Sequence, residues 1–322
     1  MVKTEQTATS QPPDIFHVTR DEDYRRRLRE EEAFWDGRAE TLLSRTPRPA
    51  VQRYLNERMT GDPERRWYET ISDHGDFRSG CVLGAGPGHV EELLLQRHEQ
   101  LRLTVLDIST DALSRLQDRL DATFPGRAET RQEDLNFVSL DAAAYDLVVA
   151  NSSIHHILNL EHLASAINQA LTPEGLFFME DTVGESFFQF SDEKKGLFET
   201  LVRATEGSGP RFAWPDRSRW PFSPFESARS GEILEVFARY LHEAQVRTAA
   251  ALTALIIFAQ RRKGRRERIM QAVLGQVVRR RIDAKQGRAR GELLFALDAL
   301  ACDSGYLRPG LAFAIYRKRG RA

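Results

Sequence analysis

Three glycines at alternating positions, Gly84, Gly86 and Gly88, close the short apolar run Cys81-Val82-Leu83 and precede a helical pattern carrying Val90, Leu93, Leu94 and Leu95. A strand that ends in glycines and feeds a helix lets backbone N–H groups approach a ligand closely, because no Cβ stands in the way. The dinucleotide fingerprint G-x-G-x-x-G would place its third glycine at position 89, where this chain has His89. The spacing here is G-x-G-x-G, which also serves as a plain strand-to-helix turn. Asp107 closes the next apolar run, about 20 residues beyond the turn, where a carboxylate can accept hydrogen bonds from both hydroxyls of a ribose. Capping the following helix is its alternative role, for which Ser109 and Thr110 stand nearer. Asp134 follows a third strand pattern, where an acceptor could meet an exocyclic adenine amine, with Leu135 as apolar contact to the ring; an exposed loop acid is the other reading. His155 and His156 are the one adjacent histidine pair, and imidazole has the pKa to take a proton from a hydroxyl acceptor. Packing under the following helix and bonding a backbone carbonyl is the alternative for that pair.

The elements around these residues alternate. Strand patterns occur at Cys81–Leu83, Leu101–Asp107, Ala128–Gln132, Tyr145–Ala150 and Gly175–Glu180, with helical patterns after the glycine turn, at Asp111–Leu120 and at Leu160–Leu171. Short apolar strands alternating with helices predict a parallel sheet covered on both faces, with ligands at the carboxyl ends of its strands. Ser230–Leu241 reads as a helix, His242–Arg247 as a sixth strand and Leu311–Tyr316 as the final one. Before the sheet, an Arg- and Glu-rich stretch from Asp21 to Leu43 and a short helix between Pro49 and Pro63 form a helical preface. After it, Ser186–Phe225 holds Phe187, Phe188, Phe190, Phe212, Trp214, Trp220 and Phe222 among prolines and glycines, and reads as an insertion outside the sheet, placed to act as a lid or to form a second small core. The expected organisation is a flexible tail (1–20), a helical N-terminal cover (21–78), a Rossmann-like core (79–185), an acceptor-side insertion with the sixth strand (186–300) and a closing strand (301–322).

Composition narrows the classes. Of 322 residues, 41% are hydrophobic and 29% charged, which is ordinary for a folded soluble protein. Forty-six basic residues against 47 acidic ones give a net charge of -1, so no overall field draws nucleic acid or an anionic membrane. The basic runs Arg261–Arg266 and Arg279–Arg281 are local exceptions that read as solvated helix faces; nucleic acid is not the expected partner, although a nucleic-acid-associated protein is one alternative. Two cysteines, Cys81 and Cys302, make neither a disulfide framework nor a paired-cysteine zinc site, and no metal is expected. No run approaches 18 uninterrupted apolar residues, and a cytoplasmic location without membrane contact is the expectation.

Taken together, Val82-Leu83-Gly84-Ala85-Gly86-Pro87-Gly88, Val105-Leu106-Asp107, Glu133-Asp134-Leu135 and Tyr145–Asn151 resemble the motifs of class I S-adenosylmethionine-dependent methyltransferases, in the same order. The resemblance spans about Ser79 to Glu180. It implies a Rossmann-like, mostly parallel sheet of seven strands with the last antiparallel, and helices on both faces. It implies S-adenosylmethionine as cofactor, with Gly84, Ala85, Gly86 and Gly88 beside its methionine part, Asp107 at the ribose, the adjoining Ile108 also at the cofactor, Asp134 and Leu135 flanking adenine, and Asn151 and Ser152 beside the sulfonium. The segment Ser153–Glu161 is similar to the loop that many small-molecule methyltransferases place next to the acceptor. Glu180–Gln189 and Ser223–Glu226 resemble a bacterial subgroup associated with glycan or secondary-metabolite pathways. The expected activity is methylation of a small polar metabolite, sugar-like or secondary, most simply at oxygen with His155 or His156 as base. N-methylation and cofactor binding without transfer are the alternatives, and a homodimer is left open.

Overall fold

The computed structural model describes residues 18–36, 49–206, 211–216, 222–255, 260–262 and 291–320. Its centre is a seven-stranded sheet built from β1 (Ser79–Leu83), β2 (Arg102–Asp107), β3 (Ala128–Gln132), β4 (Tyr145–Asn151), β5 (Leu171–Thr182), β7 (His242–Ala249) and β9 (Leu311–Arg317). The strand order is β3-β2-β1-β4-β5-β9-β7, with β9 antiparallel to both of its neighbours and the other pairings parallel. This is the Rossmann-like arrangement expected from the alternation.

Helices cover both faces because the inner strands are apolar on both sides, β1 and β4 being almost wholly buried. One face packs α5 (Leu160–Ala170) and α7 (Ile233–Tyr240) through Leu163, Ile167, Ile233 and Phe237 onto Val148, Phe177 and Tyr316. The other packs α3 (His89–Arg97), α4 (Thr110–Thr123) and the 3-10 turn Trp67–His74 onto Val82, Val105 and Phe178. The preface contributes α1 (Glu22–Trp35), capped by the Asp21 carboxylate, which accepts from the Tyr24 N–H at 2.8 Å, and α2 (Pro49–Thr60).

Strand order reverses between β1 and β4, and at such a switch point the connections diverge and leave a crevice. Register then decides which residues meet there. Leu83 pairs with Leu106 on one side and Ala150 on the other, and Asn151 pairs with Glu180. Gly84, Asp107, Asn151 and Glu180 therefore stand at one level along the carboxyl edge.

The stretch read as an insertion outside the sheet is more regular than its prolines suggest. It carries α6 (Asp192–Glu206), and β6 (Arg211–Ala213) pairs antiparallel with β8 (Gln260–Arg262) in a separate ribbon. Phe198, Leu201 and Val202 recur at helical spacing on α6 and pack with Phe188, Phe190, Trp214, Leu252 and Leu255 as a small second core. A helix over 291–303 closes this core through Ala301 and Cys302. The tail through residue 17, Leu42, Leu43, Trp220 and the basic runs beyond Arg262 lie outside the described residues.

Candidate functional site

A cavity of about 470 Å³ opens at the carboxyl ends of β1, β2, β4 and β5 and is roofed by α1, α2 and the Arg66–Tyr68 segment. That volume is in the range of small-ligand sites. Trp35, Trp67 and Tyr68 of the preface contribute to its wall. From the aromatic insertion, Phe225 does so among the described residues. The cover is therefore the preface, while the insertion aromatics are held in their own core.

The glycine turn is shaped as the sequence requires. Gly84 has φ +96°, its N–H donates to the Leu106 carbonyl at 2.7 Å, and a Cβ there would come within 2.7 Å of the Ser153 Cβ. Gly84, Gly86 and Pro87 border the cavity. Two turn residues expected at the cofactor do not. Ala85 is fully buried in the core, and its N–H donates to Asp107 Oδ2 at 2.7 Å, so it braces the turn from beneath. Gly88, at φ +78°, begins α3 where a Cβ would strike Leu116 and Arg119 of α4, so its role is to let those helices meet.

Asp107 and Ile108 border the cavity. The Asp107 carboxylate accepts from Ala85 N–H at 2.7 Å and Ser109 N–H at 2.8 Å, which leaves lone pairs for further hydroxyl donors. Burial raises its pKa against the opposing pull of those N–H groups. The cap of α4 belongs to Ser109, whose hydroxyl accepts from the Ala112 N–H at 3.1 Å. Asp134 and Leu135 border the cavity as well, but both Asp134 oxygens accept from the Tyr24 hydroxyl, at 2.9 and 2.8 Å. An adenine amine would have to share that carboxylate with α1.

At the opposite wall, Asn151, Ser152 and Ser153 leave β4 in a turn that Asp181 organises. Asp181 is fully buried and accepts from the N–H groups of Ser153, Ile154, His155 and Thr182 and from the His155 ring. Ser152 takes φ +52°, uncommon for a residue with a Cβ, and such strain persists only where surrounding bonds over-determine it. The structure withdraws His155 from the cavity. Its Nδ1 lies 2.6 Å from Asp181 and its Nε2 3.5 Å from Glu226. Burial opposes the charged ring, but the Asp181 and Glu226 carboxylates outweigh it and push the pKa up to about 10. With carboxylates at both ring nitrogens, His155 presents no free nitrogen to the cavity. His156 does border the cavity, although both its nitrogens already face carboxylates, Nδ1 at 3.0 Å from Glu31 and Nε2 at 3.6 Å from Glu226. Glu31, buried in α1, also accepts from the Trp35 indole at 2.8 Å and the Phe225 N–H at 3.0 Å, which ties the preface to this wall.

Two carboxyls of the cavity wall were not singled out from sequence. Glu180 lies near the end of β5 at the level of Asn151, and its pKa is pushed up to about 7 by removal from bulk water and by the adjacent Asp181 charge. As a strand-closing acid like Asp107 it carried a positional signal. Glu91, in the first turn of α3, is buried, and desolvation pushes its pKa up to about 8. It reads in sequence as an ordinary solvent-facing helix acid.

Residues 82–177 match the family described as methyltransferase domain. That segment, which runs from β1 into β5, is thus similar to a methyltransferase domain. Among curated proteins, malonyl-[acyl-carrier protein] O-methyltransferase 2 of Ilyobacter polytropus is 24% identical over 133 residues, 39% of this chain and 48% of that protein. Arginine-hydroxylase NDUFAF5, mitochondrial, of Danio rerio is 27% identical over 136 residues, 42% of this chain and 40% of that protein. The matched segment thus spans less than half of either relative. Among solved structures, geranyl diphosphate C-methyltransferase of Streptomyces coelicolor, in complex with Mg2+, geranyl diphosphate and S-adenosyl-L-homocysteine, aligns over 91% of this chain and 98% of its own, with a TM-score of 0.49 and 11% identity. Among the described residues, no helix of this domain's chain is long and apolar enough to cross a membrane.

Proposed function

We propose that this chain transfers the methyl group of S-adenosylmethionine to an oxygen of a small polar metabolite, with Glu180 as the proton acceptor. The observation that carries the reading is the placement of Gly84, Asp107, Asn151 and Glu180 at one level of the sheet edge around one cavity. In-line displacement at a sulfonium needs an aligned nucleophile and, for a hydroxyl, removal of its proton. A carboxyl whose pKa lies near 7 suits that step at neutral pH, and Glu180 accepts a hydrogen bond from the Ser152 hydroxyl at 3.3 Å that holds it in place. An amine acceptor would not require such a group. The Ilyobacter relative is named an O-methyltransferase, in keeping with this choice.

In this reading Asp107 takes the ribose hydroxyls, Ile108, Asp134 and Leu135 border the adenine, and Gly84 and Gly86 bring backbone against the methionine part. Glu91, a buried carboxyl with no side-chain partner among the described residues, meets the methionine ammonium. His155 and His156 act through position, holding the Ser153–Ile157 turn and the cavity wall. The test is calorimetric titration with S-adenosylmethionine, S-adenosylhomocysteine and NAD, followed by an acceptor screen with sugars first. Micromolar binding of the two sulfur compounds and not NAD is expected. Binding of NAD alone would overturn the assignment.

A further inference from the structure

We propose that His155, His156 and Glu226 form a binding site for a divalent transition-metal cation of the zinc class, with an open coordination position reached from the cavity. No metal was expected from the sequence, which holds no cysteine pair; the carboxylate that joins the two histidines comes from far along the chain, in the Ser223–Glu226 segment. The fold brings them together: one ligand atom from each lies within 4.8 Å of the other two.

Orientation is the stronger argument. Each ring turns its Nδ1 to a different carboxylate, His155 to Asp181 at 2.6 Å and His156 to Glu31 at 3.0 Å, and both of these acids are buried. Each then turns its Nε2 toward the same Glu226 carboxylate, at 3.5 and 3.6 Å. Metal-binding histidines characteristically donate the far ring N–H to a carboxylate, which fixes the tautomer and leaves the other nitrogen free to ligate. Here two rings have that arrangement and converge on one further carboxylate. The Nε2–carboxylate separations are long for charge-assisted hydrogen bonds. They run to different oxygens of that carboxylate, and with one ligand atom from each residue within 4.8 Å of the others, a modest side-chain adjustment brings the three to the edge of a tetrahedron, about 3.4 Å when metal–ligand distances are near 2.0–2.2 Å. Two imidazoles and one carboxylate with a fourth position open is a donor set that zinc-class cations accept in catalytic sites.

The side chains of His155, His156 and Glu226 are 9, 13 and 14% exposed, so the cluster is enclosed without being sealed. His156 forms part of the cavity wall, and the open position would there take an oxygen of the methyl acceptor. The backbone secures the cluster from several sides. Asp181 accepts the turn N–H groups beside His155, the Phe225 N–H donates to Glu31 at 3.0 Å, and Arg229 clamps Glu161 at 2.7 and 2.8 Å beyond the turn.

Cation binding is independent of the cofactor and can be read without turnover. The chelator-treated full chain is titrated with Co2+ by visible absorption and with Zn2+ by calorimetry, with no S-adenosylmethionine present. One equivalent of Co2+ should bind with the intense visible bands of a tetrahedral site, and Zn2+ should displace it. Glu226→Gln and His156→Ala should each weaken binding at least a hundredfold, while His162→Gln, at a histidine outside the cluster, should leave it within threefold. Thermal unfolding of each variant verifies folding. Binding that survives in folded E226Q and H156A, or no stoichiometric binding by the wild-type chain, would overturn the proposal. Should either variant fail to fold, X-ray absorption at the zinc edge of the wild-type chain decides: two imidazoles and a carboxylate support the site, and fewer than two imidazoles sink it.

Discussion

Replacing Glu91 by Gln separates the cost of burying this carboxyl from its use. Burial raises the pKa from an ordinary 4.5 to about 8, with Arg119 opposing and Glu92 and Asp107 adding to the rise. At 1.36 kcal/mol per pH unit, the charged form is disfavoured in the folded chain by up to roughly 5 kcal/mol. The folded state then binds the proton more tightly than the unfolded state, so stability falls as pH rises from about 4.5 to about 8. Glu91→Gln removes this loss: thermal unfolding should show little change at pH 5 and a gain on the order of 1–3 kcal/mol at pH 9, the lower figures allowing for relaxation and water entry. Cofactor binding should go the other way. An ammonium that pairs with Glu91 must first displace its proton, and with a pKa of about 8 roughly nine molecules in ten hold that proton at pH 7. Titration of S-adenosylmethionine at pH 7 in buffers of different ionisation enthalpy should show nearly one proton released per cofactor bound. In E91Q that release should largely vanish and affinity should drop about tenfold or more. Equal affinity and equal proton release in E91Q would refute the pairing, and a variant no more stable at pH 9 than wild type would refute the burial argument itself.

Glu180→Gln should lower kcat for a hydroxyl acceptor by about 10²–10⁴ while leaving cofactor affinity nearly unchanged, as measured by initial rates and titration. In the wild-type chain kcat should rise with pH through about 7 and level off above it, because the base acts as the carboxylate; a flat profile between pH 5.5 and 8.5 would exclude it. Asp107→Ala should weaken S-adenosylmethionine binding by roughly 1–3 kcal/mol in calorimetry, through lost ribose bonds and a loosened Ala85 N–H. Asp298→Ala should destabilise the chain by about 3 kcal/mol or more in denaturant unfolding. The fully buried Asp298 accepts from the N–H groups of Ala250, Leu252 and Thr253 and from Tyr54 of α2, and each abandoned buried donor costs about 1–3 kcal/mol.

Much of this protein is written locally. The alternation of short apolar strands with amphipathic helices determines the sheet and its covered faces, because burial on both sides demands continuous apolar runs. The glycine spacing determines the turn, since positive φ at Gly84 and Gly88 and the close approach of Ser153 exclude a side chain. Asp107 was legible for the same reason, as an acid closing a strand at a fixed distance from the turn. Tertiary structure decided what depends on residues far apart in sequence. Ala85 and Gly88 face the core because the turn coils away from the cavity, a direction that spacing does not encode. The histidine pair showed no partner in sequence, yet Glu31 from α1, Asp181 from β5 and Glu226 from the insertion converge on it. Their convergence sets a carboxylate against each ring nitrogen of the pair. Glu91 and Glu180 owe their altered acidity to solvent exclusion by the preface and the sheet edge, and desolvation is a property of the packed chain.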